Sequence, residues 1–390
     1  MTGPVGHNVT AVLAALRERL DRAHDTDIGF PGAVDFDYSD LAPFFGYLLN
    51  NVGDPYVDGV GVRHTKELER EVVEFFADLF HAPPDDRWGY VTTGGTEGNG
   101  SGLHLARTLH PDAIVYHSNA AHYSIPKAID RLGLTSVVIG AGRDGEIDYT
   151  DLRLAAGEYR RRPAIVVANI GTTMTEAIDD VSKISLVLDD VGIGDRHIHA
   201  DAALAGVPLA LLDRHCRPGF DLADGADSVS VSGHKFIGSP FPCGVLITRR
   251  SVRERIGRPV DYISSVDATT GGSRSGHAPL FLWYALRRHG VDGLRARAQK
   301  SRDLAAYTVS RLASIGVAAW RNPHAFTVVI ETPPAVITNR WTLASSQGLS
   351  HVICMPGITR EQIDAFVADL ATARDWHEIA GRYVRAPVAA

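Results

Sequence analysis

The stretch Val229–Val245 reads VSVSGHKFIGSPFPCGV, with Lys235 set among small and apolar residues. The chain has 39 Lys and Arg, and only five are lysines: Lys66, Lys127, Lys183, Lys235 and Lys300. The other four have charged or helical surroundings. A buried ammonium is costly unless it is paired or used in chemistry. A sheltered lysine is held short of full protonation, so its amine can attack a carbonyl. The run SVSVSG that leads into it has the form of a short buried strand.

Outward from this stretch the chain alternates. WGYVTT, AIVYHS, SVVIG, AIVVANIG, HIHADAAL, SVSVSG and GVLITRR are short runs rich in Val and Ile. Most are separated by helix-length segments such as TEGNGSGLHLARTLH. Buried parallel strands with crossover helices have this pattern, so the expected fold class is α/β with a mostly parallel sheet. GVLITRR follows only a short turn and is expected as an antiparallel neighbour. Upstream, TKELEREVVEFFADLFH puts Leu68, Val72, Phe75, Phe76 and Leu79 on one stripe of an amphipathic helix. Past residue 285 the order becomes long helix, strands FTVVIET and SHVICMP, then the helix TREQIDAFVADLATARD. The expected division is an N-terminal segment over residues 1–50, a large domain over 51–290, and a small α+β domain over 291–390.

The bulk numbers exclude several classes. A net charge of -7 argues against a basic nucleic-acid surface. Three cysteines without CxxC spacing argue against a disulfide framework or zinc ribbon, and for a reducing compartment. The first residues lack a basic segment followed by an apolar run, and no stretch approaches membrane-spanning length. A cytoplasmic protein with no membrane or nucleic-acid partner is expected. No helical His pair suggests a metal site.

Four stretches are candidates for chemistry. GAGRDG, Gly140–Gly145, matches GxGxxG, but EIDYTDL follows instead of a helix opening within the motif, and AIVVANIG ends in Asn169 instead of an acid. It is expected to be a glycine-rich surface turn rather than a dinucleotide site. TTGGTEGNG, Thr92–Gly100, follows a strand and opens a helix, as a phosphate cup or an ordinary tight turn does. HIHADAAL puts Asp201 at a strand end, either at a ligand site or capping the next helix. HSNAAHYSIPKA places His122 in a loop, where it either stacks on a planar ring or is a satisfied loop histidine. His117, His197 and His199 are expected to be structural. One cofactor unites these fragments. Pyridoxal 5'-phosphate needs a lysine for its Schiff base, an acid for its ring nitrogen, a phosphate cup, and a flat group over the ring. Lys235, Asp201, the Gly94–Gly95–Thr96 turn with Ser232 and His234, and His122 fill those roles.

At these residues the chain resembles the group II pyridoxal-phosphate decarboxylases. The lysine signature falls on Ser228, Val229, Lys235, Phe236, Ile237 and Cys243. GFPGAVDFDY, NNVGDPY, WGYVTTGGTEGN, HYSIPKA, GEIDY, NIGTTMTEAIDD, HADAAL, GSRSGHAPLFLWYAL and HVICMP are similar to the shorter branch, which holds bacterial histidine and plant serine decarboxylases. The resemblance covers nearly the whole chain. It implies fold type I, the aspartate-aminotransferase-like fold, and a homodimer with active sites at the interface. It puts the cofactor-bearing lysine at Lys235, the ring-nitrogen acid at Asp201 and the stacking imidazole at His122. Gly95, Thr96, Ser232 and His234 then hold the phosphate, with Ala203 and Gly94 beside them, and TTGGSRSGH approaches from near the interface.

The expected activity is α-decarboxylation of an L-amino acid to an amine and CO2. The chain departs from the branch where a serine is expected: in NPHAFTVV that place is Ala325, followed by Phe326. GVGVRHTKE, Gly59–Glu67, also differs from the histidine enzymes and is closer to the serine ones. The expected substrate pocket draws on Ala325, Phe326, His64 and Asp58. The alternative is a diverted outcome in specialised metabolism: oxidative deamination to an aldehyde, or β-elimination, on a modified amino acid such as a cysteine conjugate.

Overall fold

The computed structural model describes residues 9–373. The outermost parts of the expected N-terminal segment and small domain, residues 1–8 and 374–390, lie outside the described residues.

Seven strands form the main sheet: β1 (Trp88–Thr92), β2 (Ile114–Ser118), β3 (Thr135–Ile139), β4 (Ala164–Asn169), β5 (Arg196–Asp201), β6 (Ser228–Ser232) and β7 (Gly244–Thr248). Their order is β1-β7-β6-β5-β4-β2-β3. β3, β2, β4, β5 and β6 run parallel, while β7 is antiparallel to both β6 and β1. Both expectations, the α/β class and the antiparallel GVLITRR, hold. Every residue of β1, β2, β4, β6 and β7 is buried, as a sheet covered on both faces requires. The carboxyl edge therefore gathers Thr92, Ser118, Asn169, Asp201 and Ser232, the ends of five strands that point the same way.

β8 (Arg258–Val260) and β9 (Ser265–Asp267) make a separate hairpin. The C-terminal sheet is antiparallel: β10 (Ala319–Trp320), β11 (Thr327–Glu331), β12 (Ser345–Ser346) and β13 (Leu349–Ile353), in the order β10-β11-β13-β12. A long helix, His277–Ser314, joins the two regions and breaks at Gly290, where φ is 59° and ψ 177°. That break falls where the sequence pattern changes.

Two local expectations need comment. GAGRDG is a turn, with Gly142 N–H donating to the Glu146 carbonyl (2.7 Å). The next helix starts only at Tyr149, capped by Asp148, whose carboxylate accepts from the N–H groups of Thr150 and Asp151. The stripe on the helix Lys66–Leu79 is rotated from the expected one. Glu69, Val72, Val73, Phe76 and Ala77 are buried, while Leu68, Phe75 and Leu79 are only half-buried. The cause is an ion pair: Glu69 is drawn inward by the buried Arg274 guanidinium and the Val91 N–H (2.9 Å).

The helix Gly95–Leu109 lies unusually close to the sheet. A Cβ on Gly98 would sit 2.0 Å from Ser230 Oγ, and one on Gly102 would sit 2.3 Å from His199 Nδ1. Only residues without side chains fit at both positions, one helical turn apart. The His199 ring cannot give way, because hydrogen bonds hold it on both sides. Gly102→Ala is expected to destabilise the protein by about 1–3 kcal/mol through overpacking. Gly157→Ala, whose nearest new neighbour is Val191 Cγ1 at 4.0 Å, is expected to be neutral or stabilising by up to about 1 kcal/mol. Urea unfolding at one fixed protein concentration compares the two.

Candidate active site

Lys235 sits on a single π-helical turn, Gly233–Ile237, directly after β6. Such turns are rare and mark functional positions. Gly238, with φ 89°, ends the turn, and its N–H and that of Ser239 donate to the Gly233 carbonyl, both at 3.1 Å. Arg297 caps the far end: it donates to the Phe236 carbonyl (2.9 Å) and pairs with Asp35. Burial pushes the Lys235 ammonium below its usual value, more strongly than the Asp201 carboxylate favours its charge. Among the described residues, no hydrogen bond or ion pair to Lys235 Nζ is formed.

A second lysine is more fully buried than Lys235, which sequence neighbours did not reveal. Lys66 is 2 % exposed. Its ammonium donates to the carbonyls of Val57 (2.6 Å) and Asp58 (3.3 Å), so it is satisfied and structural. What distinguishes Lys235 is thus the absence of a hydrogen-bond partner.

Asp201 ends β5, and its carboxylate accepts from Asn99 Nδ2 (2.8 Å) and the Ala203 N–H (3.3 Å). His122 follows β2 in a loop, and its Nδ1 accepts from both the hydroxyl (2.8 Å) and the N–H (3.2 Å) of Ser124. Two hydrogens on Nδ1 leave the neutral ring its proton on Nε2. Burial holds His122 below the usual imidazole value, and Lys235 adds to this, while Asp201 opposes it. These shared influences place Lys235, Asp201 and His122 in one electrostatic neighbourhood.

The expected phosphate cup also converges. A Cβ on Gly95 would meet Ser232 Oγ at 2.7 Å and Ala203 Cβ at 3.6 Å, and one on Gly94 would approach His234 Cε1 at 4.0 Å. Gly94, with φ 150°, adopts a backbone that other residues rarely take. The first turn of the Gly95–Leu109 helix, with Thr96 exposed, therefore faces Ser232, Ala203 and His234. His234 Nδ1 lies 3.0 Å from the Cys243 carbonyl, which fixes the ring. A glycine cradle at a helix start, a strand-end carboxylate and an unpaired buried amine fit pyridoxal 5'-phosphate.

The comparisons agree. Residues 47–320 match the family model described as the pyridoxal-dependent decarboxylase conserved domain. The chain is 46% identical over 359 residues to a histidine decarboxylase of Mesorhizobium japonicum, covering 92% of this chain and 96% of that protein. It is 39% identical to serine decarboxylase 2 of Oryza sativa, covering 96% of this chain and 80% of that one. The solved structure of L-methionine decarboxylase from Streptomyces sp. 590 superposes with a TM-score of 0.86 at 26% identity, over 97% of this chain and 98% of that chain. The chain belongs to the pyridoxal-dependent decarboxylase family. It is a fold-type I amino-acid decarboxylase, a carboxy-lyase that uses pyridoxal 5'-phosphate. These relatives give no support to the diverted outcomes expected from Ala325.

The four expected substrate residues are not gathered in the same way. Asp58 is paired with Arg70 (2.8 Å), and His64 lies 3.5 Å from Glu67. Within one chain, neither forms a hydrogen bond or ion pair with Lys235, Asp201 or His122. Phe326 is fully buried, with its ring centroid 6.3 Å from that of Phe236, the residue after the lysine. Ala325 is 1% exposed and its carbonyl accepts from Arg321 (2.7 Å).

Sequence reasoning missed three polar residues here. Asn99 and Ser124 are the buried partners of Asp201 and His122. A signal existed for Asn99: Gly95, Gly98, Asn99, Gly100 and Gly102 are poor helix formers crowded into one helix, and local rules broken in this way mark sites. The third is Glu176, at φ 54° in the loop after β4. Its carboxylate reaches across to the start of β11 and accepts from the N–H groups of Phe326 (3.2 Å) and Thr327 (2.9 Å) and the Thr327 hydroxyl (2.5 Å). All three bonds use one oxygen, Oε2. Burial pushes Glu176 up to about 7 in spite of them. The neutral acid is therefore the form that folding favours. Its contribution is complete below the unfolded value of 4.5 and is lost as pH rises through about 7. A Gln carbonyl can take over all three bonds without a charge. Glu176→Gln is expected to flatten the fall in stability across that window and to be the more stable protein above it, as melting temperatures measured against pH will show.

Proposed function

We propose that the chain removes the α-carboxylate of an L-amino acid at this site, with L-histidine as the leading substrate. The observation that carries the site assignment is the unpaired amine of Lys235, half-buried near Asp201 and His122 at the carboxyl edge of the sheet. The substrate assignment draws on the histidine decarboxylases that the chain resembles over most of its length.

When bound, the cofactor supplies a carbonyl for amines to condense with and a ring that draws electrons out of the breaking Cα–carboxyl bond. The protein's residues do the rest. Lys235, whose charged form burial disfavours, would hold the cofactor through its carbonyl and give way to the substrate amine. Asp201 holds a proton at the ring nitrogen. The Gly94–Gly95–Thr96 turn, Ser232 and His234 bind the phosphate, with Ala203 packed beside them. His122 covers one face of the ring. When free of the cofactor, Lys235 would hold a proton at Nζ for return to Cα.

The experiment is product analysis by mass spectrometry in D2O, under air, on holoenzyme given histidine, serine, methionine and other L-amino acids. The expected product is the amine of histidine carrying one non-exchangeable deuterium. An aldehyde, or no turnover of any L-amino acid, overturns the proposal.

The working unit proposed is a homodimer. The helix Val9–Thr26 buries none of its residues in the single chain. Val9, Leu13, Leu16 and Leu20 form an exposed apolar stripe at helical spacing, and Phe44, Phe45, Tyr47 and Leu48 add to the exposed apolar surface. A second copy covers such a surface at least cost. His64, Asp58 and the Thr269–His277 segment then complete the partner's site. We also take Gly290 as the joint between the large and small domains. Sedimentation is expected to give twice the chain mass, and Leu13→Asp with Leu16→Asp to weaken the dimer. A monomeric wild-type protein overturns the assembly.

A further inference from the structure

We infer that Asn99 is a positioning residue that joins Asp201 and His122 into one hydrogen-bonded unit with a fixed proton order. The inference rests on the roles proposed above for Asp201 and His122.

The order follows from which atoms can donate. Asn99 Nδ2 contacts two acceptors, Asp201 Oδ2 (2.8 Å) and Ser124 Oγ (3.0 Å), so both of its hydrogens are used. Having accepted there, the Ser124 hydroxyl donates to His122 Nδ1 (2.8 Å). On the other side, Asn99 Oδ1 lies 3.1 Å from His199 Nε2, which must donate. His199 Nδ1 then accepts from Ser228 Oγ (2.8 Å), and Ser228 Oγ accepts from His197 Nε2 (3.0 Å). Every donor has one acceptor, and the polarity runs one way from His197 to Asn99 and on to Asp201 and His122. Burial keeps both inner rings neutral, His197 pushed down to about 3 and His199 to about 4, so each has one donor and one acceptor, and the Asp201 carboxylate, which can only accept, sets the direction. Asn99, Ser124, His197, His199 and Ser228 are all buried, which makes each bond costly to lose.

Two consequences concern the cofactor. Asp201 Oδ2 is anchored by the amide, which fixes where its carboxylate points. The imidazole of His122 is fixed as the Nε2–H tautomer and in orientation. A flip of the Asn99 amide would set an oxygen against the Asp201 carboxylate, which can only accept, so Asp201 holds the amide and, through its oxygen, the tautomer of His199. Three buried groups of ordinary appearance thereby hold the two residues assigned to the ring.

The test uses holoenzyme of the wild type, Asn99→Ala, Asn99→Asp, Ser124→Ala and Asp201→Ala. The readouts are the cofactor dissociation constant, the visible absorption of the holoenzyme against pH, and kcat and KM across pH. Asn99→Ala is expected to weaken cofactor binding and lower kcat by about 10- to 100-fold, with KM changed less than about threefold. Asn99→Asp is isosteric but can donate to Asp201 only when protonated. The groups around that new carboxyl are Asp201, which raises its pKa, His199, which is neutral, and more remotely Lys235 and His122. Its kcat relative to wild type is therefore expected to rise as pH falls. Ser124→Ala is expected to lower kcat while leaving cofactor affinity unchanged, since only the His122 branch is cut. If both Asn99 variants keep wild-type affinity, absorption and kcat while Asp201→Ala loses them, the inference is overturned and the site reading stands. If Asp201→Ala itself keeps them, the site reading falls first. Should Asn99→Ala fail to fold, the pH profile of Asn99→Asp still decides.

Discussion

The close seating of the helix Gly95–Leu109 on β5 and β6 is the constraint on which the rest depends. Gly98 and Gly102 let its backbone reach Ser230 and His199 at distances that any Cβ would block. That approach does two things together. It carries the helix start to Ser232, Ala203 and His234, where an anion can be met by backbone N–H groups. It also brings Asn99, on the sheet-facing side, within hydrogen-bond reach of Asp201. The proposed phosphate cup and the proposed ring-nitrogen acid are thereby held at a fixed separation by one rigid element. A rigid cofactor needs both in register.

Charge is the second theme. Lys235 has an attractive carboxylate nearby, yet burial outweighs it and the amine is held below its usual value. Desolvation wins because the attraction from Asp201 is not backed by a direct ion pair, while the loss of water is nearly complete. His122 is governed by the same balance. The result is a site whose bases are held below their usual values and whose acid is anchored by amide and backbone donors. Elsewhere in the fold, sheltered charges are paired: Glu69 with Arg274, Arg217 with Asp221 and Arg297 with Asp35. Those pairs hold the chain. The unpaired amine is the one left available for reaction.

Much of this was legible in the sequence. The Val/Ile-rich runs gave the strands because a sheet covered on both faces has no polar alternation to disguise. Lys235, Asp201 and the Gly94–Gly95 turn were legible because each ends a strand or follows one, and ligand sites of such sheets form at that edge. Less was legible where long-range contacts decide. Glu69 looked like a surface position on an amphipathic helix until Arg274, distant in sequence, drew it inward. Lys66 looked solvated because its neighbours are charged, yet its ammonium is enclosed by carbonyls of an earlier loop. Glu176 gave no local signal, since its partners lie on β11.

By itself, the sequence determined the α/β class, the strand order of events along the chain, the lysine and the family, since periodicity and motif spacing are local properties. Tertiary structure alone decided which polar groups meet. Asn99 and Asp201 are 102 residues apart, and His199 and Asn99 are 100 apart. No window of sequence contains both members of such a pair. Whether a buried histidine is a ligand or a strut, and whether a buried lysine is satisfied or reactive, depends on partners brought from elsewhere by folding. The hydrogen-bonding rule that assigns their roles is simple, but it can be applied only once the donors and acceptors are known to face each other.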